Sequence, residues 1–252
     1  MKYIRFETEN GASWGILDGD TVKALSKAPY LGGEPTGETY AYASVKLLAP
    51  CEPTKIVCVG KNYFDHIMEF GEKAEVPKNP ILFLKPTTAL NDPDGAVVYP
   101  SQSQRVDHEA ELAFVIKKTA KNVKAEDAFD YIFAYTCLND VTARDIQYGD
   151  GQWTRGKSFD GFAPVGPVLT DEVDPSDLKV ECRVNGEVRQ SGRTSQFMWK
   201  IPTLMEFITA SMTLLPGDIV TTGTPSGISG MNRGDVCEVE VEGIGILRNT
   251  IV

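Results

Sequence analysis

The stretch Arg105-Val106-Asp107-His108-Glu109-Ala110-Glu111-Leu112-Ala113-Phe114-Val115-Ile116 sets two carboxylates two residues apart at the mouth of an apolar run. The run reads as a strand. Side chains alternate along a strand, so Glu109 and Glu111 share a face with their Cα atoms roughly 6.5 Å apart, while His108 turns to the other face as support for the strand. A second apolar run, Tyr131 to Asn139, ends on Asp140 and offers a third carboxylate from a neighbouring strand. Three carboxylates without Cys or His suit a hard cation, Mg²⁺ or Mn²⁺. Taken alone, Glu-x-Glu on a strand is more commonly a solvated face, so the rest of the chain has to decide.

Outward from this stretch, sheet dominates. Lys55 to Val59 and Ile81 to Leu84 read as buried strands, and further strands fall near 165–169, 178–184, 217–222, 235–242 and 244–251. Asn185-Gly186 and Glu242-Gly243 are hairpin turns, and about 202–211 is the one good helix. Before Pro50, short alternating pieces broken by Asn10-Gly11 and Asp18-Gly19-Asp20 indicate a small antiparallel unit. Pro50 and Pro53 disfavour helix and mark a boundary. The expectation is a mainly β fold with a few helices (α+β): a small N-terminal β domain over 1–50 and a larger domain over 51–252.

A length of 252 residues can bury a large core. The formal charge of −10 argues against nucleic acid or an anionic membrane as a partner. No apolar run approaches twenty residues, and the first residues carry charges where a signal peptide would be apolar, so a cytoplasmic protein is expected. Five cysteines form no Cys-x-x-Cys pair and read as reduced thiols. Thr221-Thr222-Gly223-Thr224-Pro225 lacks the Gly-Lys-Ser/Thr of a phosphate loop, and no Gly-x-Ser-x-Gly elbow occurs.

Six segments occur together and in order: Gly-Lys-Asn-Tyr-Phe-Asp-His (60–66), Phe-Leu-Lys-Pro (83–86), Asp-His-Glu-Ala-Glu-Leu (107–112), Asn-Asp-Val-Thr-Ala-Arg-Asp-Ile-Gln (139–147), Gly-Lys-Ser-Phe-Asp (156–160) and Thr-Gly-Thr-Pro (222–225). This set resembles the fumarylacetoacetate hydrolase superfamily over about residues 53–252, and within it the small branch of acylpyruvases and oxaloacetate decarboxylases. The resemblance implies a mixed β-roll, a homodimer, and a metal held by Glu109, Glu111 and Asp140. It also carries Lys157, Arg144, Gln147 and Thr224 over as pocket residues. Lys157 and Arg144 would hold a small anionic 2-oxo acid.

One helix has chemistry of its own. Asn62 can cap it, Asp65 sits where a capping acid would, and Gly71 stops it. Ile67 and Phe70 give it one apolar edge, through which so short a helix must dock. His66 and Glu69 at i and i+3 share a face, so the carboxylate can orient the imidazole as a general base. Spacing alone favours an incidental pair, whereas the resemblance makes it the catalytic dyad. Lys85 ends a strand, where a snorkelling side chain is the common outcome. The resemblance therefore implies a Mg²⁺- or Mn²⁺-dependent hydrolase that cleaves a C–C bond in acylpyruvates through a pyruvate enolate. Oxaloacetate decarboxylation, and keto–enol or double-bond isomerisation of the 2-hydroxyhepta-2,4-diene-1,7-dioate type, stand as alternatives. A non-enzymatic binder would have no use for a base dyad beside a carboxylate triad.

Overall fold

The computed structural model describes residues 1–69, 71 and 75–252. Strands dominate it, with a few short helices, and among the described residues they form three sheets. Ala110–Ile116 runs inside the largest, antiparallel to both Ile132–Asn139 and Ile219–Thr221. All seven of its residues are buried. Its two faces serve different cores: Leu112, Phe114 and Ile116 join one apolar cluster, Ala113 and Val115 another. A strand covered on both faces reads as a continuous apolar run rather than an alternating one.

Pairing brings four chain segments to one end of this sheet. Ala110 faces Asn139, so Glu109 and Asp140 flank the same end of the ladder, with the Asp140 N–H donating to the Glu109 carbonyl at 2.9 Å. Ile219–Thr221 leaves the sheet on that side, where the Thr222 N–H meets the Leu112 carbonyl. Ile56–Gly60 lies parallel to it and points the same way. The site is therefore built where strands end, on the loops that follow them.

The strands Lys2–Thr8, Gly11–Asp18, Thr21–Leu25 and Pro35–Ala41 form an antiparallel meander that continues the large sheet, Lys2 and Tyr3 pairing with Thr170 and Leu169. A five-stranded sheet contains Glu187–Arg193, Lys179–Val184, Val236–Val241, Gly245–Ile251 and Ala96–Val97. Its first hairpin turns on Asn185 (φ 53°) and Gly186 (φ 80°), two left-handed residues as a two-residue type I′ turn requires. The helix Ile201–Ser211 starts with a proline in its first turn and buries Ile201, Leu204, Met205 and Ile208 on one face.

The segment after Gly60 corrects one reading. The helix is only Phe64–Met68, its N-terminal flank is Tyr63, and no side chain caps it. Phe70 lies outside the described residues, as do Glu72, Lys73 and Ala74. Asn62 is wholly buried and does something else: its Nδ2 donates to the carbonyls of Thr222 (2.8 Å) and Trp199 (3.1 Å), and its Oδ1 accepts the Trp199 N–H at 2.7 Å. Three long-range bonds in a dry setting outweigh a local cap. Asn62→Ala would leave two carbonyls and an N–H unpaired. We expect a loss of roughly 2–3 kcal/mol, read as a lower urea midpoint with an unchanged m value. An unchanged midpoint would mean that this junction contributes nothing to the fold.

Candidate active site

Oxygen atoms of Glu109, Glu111 and Asp140 lie within 4.8 Å of one another, and all three residues are buried. Packing three carboxylates this closely away from water is costly unless countercharges join them. Lys157 supplies one: its Nζ is 2.7 Å from Glu109 Oε2 and 2.7 Å from Asp140 Oδ2. Lys85 supplies another, donating to Asp140 Oδ1 and to the Val141 carbonyl. Lys85 does not snorkel. Its neighbour Leu84 takes the outward position of the strand Ile81–Lys85, which leaves Lys85 pointing in and 1% exposed.

Arg144 completes the cationic side, donating to Glu109 Oε1, to Asp107 Oδ2 at 2.9 Å and to Gln147 Oε1 at 2.6 Å. The last contact follows from Arg144 and Gln147 being three apart in the helix Arg144–Asp150. Arg105 pairs with the other oxygen of Asp107 at 2.8 Å.

These partners act unequally on the triad. Burial pushes the Glu109 carboxyl up, but Lys157 and Arg144 outweigh it and hold that carboxyl well below the usual range. Burial pulls the Lys157 ammonium down, and Asp140 and Glu109 more than restore it. Glu111 is the exception. Burial and the charges of Asp140 and Glu109 push its carboxyl well above the usual range, and among the described residues no cation forms an ion pair with it. The Gly223 N–H, at 2.9 Å from Oε2, is a fixed neutral donor. A buried all-oxygen cluster in which one carboxylate has no ion-pair partner could hold a hard divalent cation.

The helix Phe64–Met68 presents His66, buried, with Nδ1 2.8 Å from Glu69 Oε2. Glu69 is itself held, its Oε1 accepting the Gly227 N–H at 2.6 Å. An ionised carboxylate only accepts, so the neutral imidazole carries its proton on Nδ1 and Nε2 is the basic nitrogen.

Of the residues expected at the site, all but Glu69 line one cavity of about 320 Å³, and Glu69 stands behind His66. The walls were not foreseen. Phe83 and Trp153 meet edge to face at 5.3 Å, with Lys157 Nζ 5.1 Å from the Phe83 ring. Trp153 fits because residue 60 is glycine, where a Cβ would lie 2.4 Å from the indole. Composition gives no sign of such a contact. His108 is buried away from the cavity, bonded to Gln190 and Ser229 at 2.9 Å each.

The chain is similar to known proteins over its whole length. Residues 55–252 match the family described as fumarylacetoacetate (FAA) hydrolase C-terminal, and residues 1–50 match one described as Rv2993c-like, N-terminal. Protein Rv2993c of Mycobacterium tuberculosis is 43% identical over 262 residues, spanning 100% of this chain and 98% of its own. Oxaloacetate tautomerase YisK of Bacillus subtilis is 43% identical over 225 residues, 84% of this chain and 75% of its own. Among solved structures, 5-carboxymethyl-2-hydroxymuconate delta-isomerase from Mycobacterium smegmatis superposes with a TM-score of 0.94 at 41% identity, covering 100% of this chain and 99% of that one. No helix among the described residues is long and apolar enough to cross a membrane.

The raised Glu111 carboxyl has a measurable consequence. A group whose proton is held above the ordinary carboxylate range must release it before it can ligate a cation. Mn²⁺ affinity should therefore rise with pH above that range, with proton release seen by calorimetry in two buffers of different ionisation enthalpy. Glu111→Gln should weaken Mn²⁺ binding by about tenfold or more and flatten the pH dependence. A pH-independent wild-type affinity without proton release would contradict the assignment.

Proposed function

The chain belongs to the fumarylacetoacetate hydrolase family, and on that footing we propose that it interconverts the keto and enol forms of a small 2-oxo dicarboxylic acid of the oxaloacetate type. The observation that carries this reading is the shared cavity of the His66–Glu69 dyad and the carboxylate triad. The isomerase and tautomerase names of the relatives support it.

Formal charge points to the same substrate class. Counted formally, Lys85, Lys157, Arg144 and Arg105 balance the triad and Asp107, although among the described residues none of them pairs directly with Glu111. A divalent cation then leaves the site two charges positive, which a dianion neutralises. A cation held by Glu109, Glu111 and Asp140 would supply Lewis-acid stabilisation of negative charge on a 2-oxo acid.

The protein's own groups do the rest. Lys157 keeps Glu109 and Asp140 ionised and adds positive charge beside the substrate's acid head. Arg144 fixes Gln147 through its Oε1, leaving the Gln147 amide N–H₂ to donate to a substrate oxygen. His66 Nε2 takes a proton from carbon 3, the C–H electron pair forms the C2–C3 double bond, and the carbonyl pair moves to the 2-oxo oxygen. Glu69 stabilises the imidazolium, which then returns the proton to that oxygen. Phe83 and Trp153 keep one wall of the cavity apolar, which strengthens these interactions.

Hydrolysis of an acylpyruvate is the second reading, favoured by the cavity volume. About 320 Å³ leaves room for a water of roughly 30 Å³ beside a small acid. His66 would then take its proton from that water, and the same enolate would leave. Absorbance of the oxaloacetate enol and release of pyruvate from an acylpyruvate separate the two readings. His66→Ala should slow enol–keto conversion by about 10²–10⁴-fold with Mn²⁺ affinity unchanged, while sparing any oxaloacetate decarboxylation, which needs no base. A wild-type conversion rate in that variant would remove His66 from the chemistry.

A further inference from the structure

Glu187–Arg193 is the edge strand of the five-stranded sheet, yet it presses against the turn that follows Thr221. A Cβ on Gly192 would lie 2.6 Å from Pro225 Cβ, and one on Gly227 would lie 2.0 Å from the Arg189 carbonyl. Gly227 also has φ 100°, a conformation that side-chain-bearing residues rarely adopt. In this tight contact sits Gln190, 1% exposed and not part of the cavity wall.

Every hydrogen-bonding position of its amide is used. Oε1 accepts from the Ala110 N–H at 3.0 Å and from His108 Nδ1 at 2.9 Å. Nε2 donates to Thr224 Oγ1 at 2.8 Å and to the Pro225 carbonyl at 2.7 Å. These roles fix the others. His108 must carry its proton on Nδ1, its Nε2 accepts from Ser229, and Thr224 Oγ1 passes its own proton to the Ala110 carbonyl at 2.9 Å.

The network runs in two directions. Ala110 lies between Glu109 and Glu111, and both its N–H and its C=O are held by it, so the backbone carrying two triad carboxylates has one orientation. Pro225 lies two residues before Gly227, whose N–H grips Glu69, which in turn holds His66. We propose that Gln190 is a positioning residue that holds the carboxylate triad and the His66–Glu69 dyad in one register. It touches no reacting atom. Its amide joins two constellations that approach the cavity from different parts of the chain, and displacements near 1 Å between such groups cost about 10²-fold in rate.

The activity arm of the test rests on the proposed function, and the metal arm does not. Gln190→Met keeps the length and removes all four bonds; Gln190→Glu keeps the acceptor toward Ala110 and His108 and loses the donors toward Thr224 and Pro225. For each variant, the unfolding temperature, the Mn²⁺ Kd without substrate, and kcat and KM for enol–keto conversion at saturating Mn²⁺ are measured well below unfolding. Gln190→Met should bind Mn²⁺ about tenfold or more weakly and lose kcat by a similar factor, with KM changing less. Gln190→Glu should bind Mn²⁺ no more weakly than wild type and still lose kcat. A folded Gln190→Met protein with wild-type Kd and kcat, and only a lower unfolding temperature, would overturn the proposal. Should Gln190→Met fail to fold, Gln190→Glu decides: lowered kcat with undiminished Mn²⁺ affinity supports the proposal, and wild-type kcat overturns it. If the wild-type protein converts no 2-oxo acid, the functional reading fails and the Mn²⁺ Kd of Gln190→Met still decides.

Discussion

Three carboxylates within 4.8 Å of one another, all buried, are the constraint that the surrounding structure answers. A low-dielectric site amplifies their repulsion, so it exists only because long cationic side chains reach in from other segments. Lys85 comes from a strand antiparallel to Ile56–Gly60, Lys157 from the short helix Thr154–Lys157, and Arg144 from the start of another helix. None is placed by its own neighbours in sequence. Asp107, between Arg105 and Arg144, accepts from both guanidiniums.

The compensation is uneven. Lys157 bridges Glu109 and Asp140, which leaves Glu111 facing like charges and a backbone N–H. On the proposed reading, a divalent ion held there would relieve that imbalance and a dianion would balance the ion. The base dyad belongs to a separate constellation whose position depends on Gly227, 158 residues from Glu69. The cavity is thus lined from two groups of residues, the carboxylate triad and the His66–Glu69 pair, brought together by sheet pairing, with the strand Glu187–Arg193 packed against the turn that follows Thr221.

How much of this the sequence revealed follows from the range of the forces involved. Glu109 and Glu111 were legible because alternation along a strand is local, and Asp140 because the next strand in an antiparallel pair ends where the first begins. Helical spacing put His66 and Glu69 on one face, but only the family resemblance set that pair apart from an incidental one. The fold class followed from strand patterning, and the Asn185-Gly186 hairpin from turn chemistry. Asn62 was misread because its capping signal is local, while its actual partners lie 137 and 160 residues away. Lys85 was misread because the usual behaviour of a strand-end lysine takes no account of a buried carboxylate 55 residues on. Glu187–Arg193 was implied only as the return arm of the Asn185-Gly186 hairpin, since Glu-Val-Arg-Gln-Ser-Gly-Arg is polar at most positions, and Gln190 went unseen with it.

Binding of oxalate, a dianion that mimics the pyruvate enolate, tests the electrostatic account most directly. Its affinity is measured by calorimetry with and without Mn²⁺, and the affinity for Mn²⁺ with and without oxalate. If the cation and the dianion complete one another's charge, each must strengthen the other by the same factor, and the account predicts that factor to be at least about tenfold. Equal oxalate affinity in the presence and absence of Mn²⁺ would show that the carboxylate triad and the anion pocket are separate, and would contradict the account.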